Sequence, residues 1–279
     1  MSSTLMLNCP VCSTALVQQD KKLVCENQHN FDRARQGYYN LLLNQHKKSK
    51  APGDNAEMVL ARSNFLNGGY YQSISDTINQ FAVDQLWQNG KANIVDMGCG
   101  EGYYTHRLQE SLSDHQIDAE VYGLDISKDA IKAAAKRNKE VTWLVANANK
   151  PPFHEGNAHL ILNVFNRIMP DSLAKLCHEK GRLLVASAGA HHLQQLKEAI
   201  YETPRYTEFD CKTALAEHFD HSHRTELDFT ITLDQIGVKA LLGMTPHVWR
   251  SSPQTQAKLN ALDELELRVQ VNLDLFSKK

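Results

Sequence analysis

The stretch Asn93-Ile94-Val95-Asp96-Met97-Gly98-Cys99-Gly100-Glu101-Gly102-Tyr103-Tyr104 decides how the rest of this 279-residue chain reads. A short apolar run ends on an acid and breaks at once into alternating glycines. This predicts a strand, a tight loop and the start of a helix. Glycine tolerates positive φ and lets a ligand approach bare backbone, so Gly98, Gly100 and Gly102 leave N–H groups and a helix N-terminus facing whatever docks above the strand. That is a small-molecule site. A dinucleotide fingerprint needs G-x-G-x-x-G, and the position of its third glycine is Tyr103 here.

The pattern that is present, D-x-G-x-G-x-G from Asp96 to Gly102, resembles the first motif of class I S-adenosylmethionine-dependent methyltransferases, where the acid and the glycine loop hold the methionine end of the cofactor. Val121-Tyr122-Gly123-Leu124-Asp125 supplies a second strand, and Asp125 falls 23 residues after Gly102, where an acid receives ribose hydroxyls. Helical patterns over 103–112 and 128–137 alternate with strands over 141–145, 160–164 and 182–186, which predicts an α/β, Rossmann-like, doubly wound sheet. Ligands of such sheets sit beyond the carboxyl ends of the strands. Asn147 is therefore a candidate adenine contact, Phe165-Asn166-Arg167 the place where a target would face the cofactor's methyl group, and His191 and His192 lie on the functional edge. Leu265, Leu267, Val269, Val271, Leu273 and Leu275 alternate with polar residues, predicting a half-buried antiparallel strand. With a strand over 223–232 this makes a seven-stranded sheet.

Ahead of the sheet, Cys9-Pro10-Val11-Cys12 is followed after twelve residues by Cys25 and then His29. Two residues between the first thiols let both reach one ion, and a second pair brought alongside closes a tetrahedral shell. A hairpin that does this is visible in Ala15-Leu16-Val17 and Lys22-Leu23-Val24 around a polar Gln18-Gln19-Asp20-Lys21 loop. Cys9, Cys12, Cys25 and His29 are read as ligands of a structural zinc ion, with no open position.

A charged fraction of 22% and an apolar fraction of 42% exclude a disordered or fibrous chain. No apolar run approaches a membrane span, and residues 1–10 lack the basic start and greasy centre of an export signal. The expected location is the cytoplasm, away from any membrane, where thiols stay reduced. Net charge is only −2, yet the first fifty residues carry seven Lys and Arg against three acids. Between Phe31 and Lys50 aromatics and bases interleave and end in a Lys-rich loop, a composition suited to neutralising phosphates and stacking bases. Residues 54–89 read as two helices broken at Gly68-Gly69, leaving Tyr70 and Tyr71 just before the sheet. The chain thus divides into a zinc-binding module with a basic loop (1–50), a helical linker (51–90) and a methyltransferase domain (91–279).

These features occur in one order with Gln45-His46-Lys47-Lys48-Ser49, Pro52-Gly53-Asp54, Asp96 to Thr105, and Met244-Thr245-Pro246-His247-Val248-Trp249-Arg250. Over nearly its full length the chain resembles bacterial 23S ribosomal RNA (guanine-N(1)-)-methyltransferases. The resemblance implies transfer of a methyl group from S-adenosylmethionine to N1 of a specific guanine in a hairpin of large-subunit RNA. It also implies a zinc module that helps recognise the hairpin, a homodimer, and a cofactor site at Tyr71, Gly100, Glu101 and His192. One departure stands out. The family tends to open the fourth strand with aspartate and follow it with Pro-Cys, whereas this chain has His159 and then Phe165-Asn166-Arg167-Ile168. A methylated ring nitrogen must first lose its proton, and Asp171, His154 and His191 are equal candidates for receiving it. Two other readings stay open: a methyltransferase for a different RNA, small molecule or protein, and a non-catalytic zinc-containing RNA-binding protein with a relic cofactor fold.

Overall fold

The computed structural model describes residues 3–46, 49, 52–86, 90–245 and 252–279. Lys47, Lys48 and Lys50 of the basic loop, Trp87 at the end of the second predicted helix, and residues 246–250 of the C-terminal motif lie outside the described residues.

The chain begins with a four-stranded antiparallel sheet of β1 (Ser3–Asn8), β2 (Ala15–Gln19), β3 (Lys22–Cys25) and β4 (Asn30–Asp32), in that order. The expected hairpin joins β2 to β3, with Leu16 opposite Cys25 and Gln19 opposite Lys22. Next come β5 (Tyr38–Asn40), helix α1 (Ala56–Asn67) and helix α2 (Gln72–Leu86). Asn55 caps α1 by accepting from the Met58 N–H, and α2 buries Ile74, Ile78, Ala82 and Leu86 along one helical face.

The alternating core follows as β6 (Ala92–Met97), α3 (Tyr103–Asp114), β7 (Ala119–Asp125), α4 (Lys128–Arg137), β8 (Thr142–Val145), β9 (Ala158–Val164), α5 (Pro170–Leu176) and β10 (Cys177–Ala188). Short helices α6 (Gln194–Ile200) and α7 (Cys211–Leu215) lead to β11 (Phe219–Asp234), α8 (Gln235–Met244), α9 (Pro253–Asn260) and β12 (Glu264–Lys278). β6 is buried on both faces except at Asn93, as a central parallel strand must be, and is apolar apart from Asn93 and Asp96. α4 is Ala-rich, capped by Ser127 and ended by Lys136 and Arg137, so local signals and the helix dipole agree.

The large sheet has eight strands, in the order β11-β12-β10-β9-β6-β7-β8-β5, where seven were expected. The added strand is β5, only three residues long, which pairs parallel with β8 through Tyr38 opposite Trp143. This also corrects the reading of the aromatics in that stretch. Tyr38 and Tyr39 are each 4% exposed, and they complete a sheet edge instead of offering rings to nucleic-acid bases. Their backbone groups needed a ladder, and sequence composition does not reveal one so short.

β12 runs antiparallel to both β10 and β11, as its alternation predicted. From Val271 to Phe276, however, it is buried on both faces. Asp274 is fully buried and accepts two hydrogen bonds from Arg224, at 2.8 and 2.9 Å, and one from His221 at 2.7 Å. The small sheet is fastened to the large one. Leu7 bridges Phe153, the Asn8 N–H donates to the Pro152 carbonyl, and Leu16, Leu23, Tyr122 and Phe153 belong to one buried cluster. Among the described residues no helix is long and apolar enough to cross a membrane.

Candidate active site

The glycine loop turns as expected, with φ of 84°, 56° and 83° at Gly98, Gly100 and Gly102. Two of these positions also tolerate no side chain. A Cβ on Gly98 would stand 2.1 Å from the Asn166 amide nitrogen, and one on Gly102 would meet the Trp143 ring at 2.7 Å and the Ala134 methyl at 2.8 Å.

Above the loop lies a cavity of about 430 Å³. Gly98, Gly100, Glu101, Asp125, Tyr71 and His192, all expected at the site, line it together. Asn147 does not. It lines a second and larger cleft of about 970 Å³, with Pro10 and Val11 of the first zinc knuckle, Lys150, Arg167 and Lys175. Its side chain accepts from the Asn149 N–H at 2.9 Å. Asp171, His154 and His191, the three candidates for the proton, do not line the smaller cavity either. Asp171 instead meets His218 at 3.0 Å, His154 bonds the Leu7 carbonyl at 3.1 Å, and His191 stacks on Tyr206 with ring centroids 5.1 Å apart.

The acids of the site differ in role. Asp125 is held by two backbone donors, Gly100 N–H at 3.1 Å and Ser127 N–H at 2.7 Å; burial raises its carboxyl while these donors oppose the shift. Each oxygen keeps an acceptor site for a ligand hydroxyl. Asp96, 1% exposed, sits below the loop and accepts from the Thr105 hydroxyl at 2.6 Å. Burial pushes it up to about 7. Glu101 pairs with Arg137 and is also raised by burial, with Arg137 pulling the other way. Opposite them, the Tyr71 hydroxyl meets His192 Nε2 at 3.1 Å, and burial lowers His192 to about 4, keeping its ring neutral.

Sequence reasoning missed Asp54 and Arg62, which form an ion pair on the cavity wall, and Arg137 behind Glu101. Asp54 stood in the sequence only as part of the Pro52-Gly53-Asp54 motif, with no role at the site assigned to it. Its loop is tied to the site because Ser127 donates to the Asp54 carbonyl at 2.6 Å, a contact between residues 73 positions apart. His159 accepts from the Asn93 N–H at 3.0 Å and stacks on His178. It is the second residue of β9, at that strand's amino end, and does not line the cavity, while Phe165 and Asn166 stand on the cavity wall.

S-adenosylmethionine fits this site on three observations. Among the described residues, the buried Tyr104 Oη has no hydrogen-bond partner, and Glu101 Oε1 and His192 Nδ1 have no side-chain partner. The loop above Asp96 admits backbone approach. Asp54, Glu101 and Asp125 around one Arg62 suit a cationic sulfonium and would repel a pyrophosphate.

The zinc site is equally specific. The ligand atoms of Cys9, Cys12, Cys25 and His29 all lie within 4.8 Å of one another. Cys25 Sγ is 3.4 Å and Cys9 Sγ 3.6 Å from His29 Nδ1. Each knuckle is closed by a residue of positive φ, Ser13 at 62° and Gln28 at 62°. Three thiols and one imidazole, with no carboxylate among them, form the closed donor set of structural zinc.

Two family models match, one described as "RlmA, N-terminal", a zinc ribbon, over residues 7–50, and one as "Methyltransferase domain" over residues 94–189. The chain is 31% identical over 255 residues to the 23S rRNA (guanine(748)-N(1))-methyltransferase of Streptomyces fradiae, covering 90% of this chain and 89% of that one. The chain belongs to this family. A Bacillus subtilis (strain 168) protein, provisionally named a 23S rRNA (guanine-N(1)-)-methyltransferase, is 30% identical over 96% of this chain and 95% of its own length. Among solved structures, the [4+2]-cyclase SpnF superposes with a TM-score of 0.51 at 12% identity, over 82% of this chain and 99% of that one, and shares the fold alone. Membership of the guanine-N1 methyltransferase family therefore rests on the sequence relatives, while the fold by itself is compatible with several chemistries.

Proposed function

We propose that this protein transfers a methyl group from S-adenosylmethionine to N1 of one guanine in a hairpin of 23S ribosomal RNA. The observation that carries the reading is the match to a guanine-N1 methyltransferase over nine tenths of both chains, with the zinc ribbon and an acid-lined glycine-loop cavity in place. When bound, S-adenosylmethionine supplies an electrophilic methyl group on a sulfonium. Asp125 is the residue for the ribose hydroxyls, Gly98 and Gly100 bring backbone beside the methionine end, and Tyr71, Glu101 and His192 complete the wall. Positioning supplies much of the rate in such a displacement. A paired guanine hides N1, so the base must lie in a loop or leave its stack.

In this reading residues 1–50 carry the zinc module that recognises the hairpin, residues 51–90 link it to the sheet and lend Tyr71 to the cofactor wall, and residues 91–279 carry the rest of the methyltransferase site. The larger cleft, between the first zinc knuckle and the segment after β9, carries Lys150, Arg167 and Lys175 against Glu155 and Asp171, a net positive lining that favours phosphates. A homodimer is part of the proposal, and a single-protomer mass by light scattering would remove that part.

The test of the function is a reverse-transcription map. Methylation at N1 abolishes the Watson–Crick donor, so extension should stop one base before the modified guanine on wild-type 23S RNA and read through on RNA from a deletion strain. An identical stop in both strains, or a stop at adenine or cytosine, overturns the guanine-N1 assignment.

A further inference from the structure

Phe165 is at odds with its surroundings in two ways. It is a large apolar side chain left 41% exposed, on a wall whose other aromatics, Tyr71, Tyr103 and Tyr104, are buried. Its backbone is also left-handed, with φ of 49°, a conformation that a bulky residue adopts only when neighbours impose it. The neighbours are identifiable. The Phe165 N–H donates to the Ala186 carbonyl at 2.9 Å, the Asn166 amide donates to the Met97 carbonyl at 2.6 Å, and Asn163, fully buried, donates to the Asn166 carbonyl at 3.1 Å. These bonds lock the turn after β9 onto the ends of β6 and β10. The ring is steadied by tilted contacts with His192 at 5.9 Å, Tyr71 at 6.0 Å and Tyr104 at 6.5 Å between centroids.

The segment over 164–169 also borders both depressions of this face. Val164, Phe165 and Asn166 line the cofactor cavity, and Arg167, Ile168 and Met169 line the larger cleft. A base carried by a strand in the larger cleft must cross this ridge to reach the cofactor cavity. We propose that Phe165 is the stacking platform for the target guanine, holding the plane of the displaced base so that N1 is presented to the cofactor cavity. The inference rests on the guanine-methylation reading and adds a base-contact residue to it. A flat aromatic face accepts any purine, so Phe165 sets the plane and position of the base.

The test compares wild type, Phe165→Ala, Phe165→Leu and Phe165→Tyr on full-length 23S RNA from the deletion strain, with cofactor saturating and cofactor affinity measured separately by calorimetry. Loss of one base–aromatic stack should lower kcat/KM for RNA roughly 5- to 150-fold in Phe165→Ala. Phe165→Leu should be nearly as poor and Phe165→Tyr close to wild type; because Phe165 borders the cofactor cavity, any change in cofactor affinity is measured alongside and should be much smaller than the loss in kcat/KM for RNA. Equal rates for Phe165→Leu and Phe165→Tyr would show that apolar bulk suffices and overturn the stacking role. So would a loss of cofactor affinity that accounts for the lost rate. A wild-type protein that methylates no guanine overturns both readings, whereas a wild-type protein active at guanine N1 beside an equally active Phe165→Ala overturns this one alone.

Discussion

In the zinc ribbon, four ligands come from residues 9 to 29, held by two knuckles and one hairpin. Around the glycine loop, the cavity walls come from positions between Gly53 and Met244, gathered by a sheet, four helices and the turns between them. The first region spends little chain entropy on bringing its groups together and relies on an ion to tie three thiols and an imidazole into one shell. The second needs no ion to exist, yet depends on contacts between segments far apart in sequence. One site is therefore local and metal-dependent, the other non-local and packing-dependent, and perturbations should separate them.

The largest effect is expected at the metal. Structural zinc in modules of this kind contributes on the order of 10 kcal/mol of folding free energy. Cys25→Ala should abolish bound zinc by elemental analysis and expose the amides of β1 to β4 to hydrogen exchange, while the large sheet keeps its structure and its cofactor affinity. Because Leu7, Leu16 and Leu23 share a buried cluster with Tyr122 and Phe153, a parallel loss of cofactor affinity would show that the two regions are one cooperative unit.

Next is the buried pair behind the loop. Arg137→Ala leaves Glu101, 2% exposed, without its counter-ion, and breaking such a pair costs about 3 kcal/mol or more. Chemical denaturation should register that loss with the zinc content unchanged; stability equal to wild type would mean that Glu101 takes up a proton and needs no partner.

Asp125→Ala should be milder for the fold and specific for the ligand. Removing a carboxylate that accepts charged hydrogen bonds costs about 1.5 to 3 kcal/mol, or roughly ten- to hundredfold in cofactor affinity. Unchanged calorimetric binding would show that the ligand does not use the end of β7.

Smallest at neutral pH is a pH slope confined to the second region. His192 is depressed to about 4 by burial, so between about 6.5 and 4 the unfolded chain takes up a proton that the native protein refuses, and stability falls as pH falls. Asp96 is raised to about 7 by burial, so between about 3.8 and 7 the native protein keeps a proton that the unfolded chain releases, and stability falls as pH rises. The two contributions oppose each other across the shared window. His192→Gln should remove the first and make stability fall more steeply with rising pH between 4 and 6.5, by up to about 1.4 kcal/mol per pH unit. An unaltered slope would mean that His192 is charged in the folded protein.

Much of this molecule was legible before any coordinates. The C-x2-C-x12-C-x3-H spacing, the glycine loop, Asp125 at the end of an apolar run and the alternating pattern of β12 are short-range signals, because ligand reach, positive φ and side-chain period are all set within a few residues. What escaped was non-local. β5 is three residues long and becomes a strand only because β8 offers an edge, so Tyr38 and Tyr39 read as exposed aromatics when they are core. Asp54 reaches the cavity only because Ser127 holds its loop, and Asn147 occupies the right strand end but faces the other cleft. The sequence by itself determined which local units exist and what chemistry each can perform. Only the tertiary structure decided which side chains share a cavity and that Phe165 stands exposed on the ridge between two clefts, because burial and juxtaposition depend on how distant segments pack and not on their spacing along the chain.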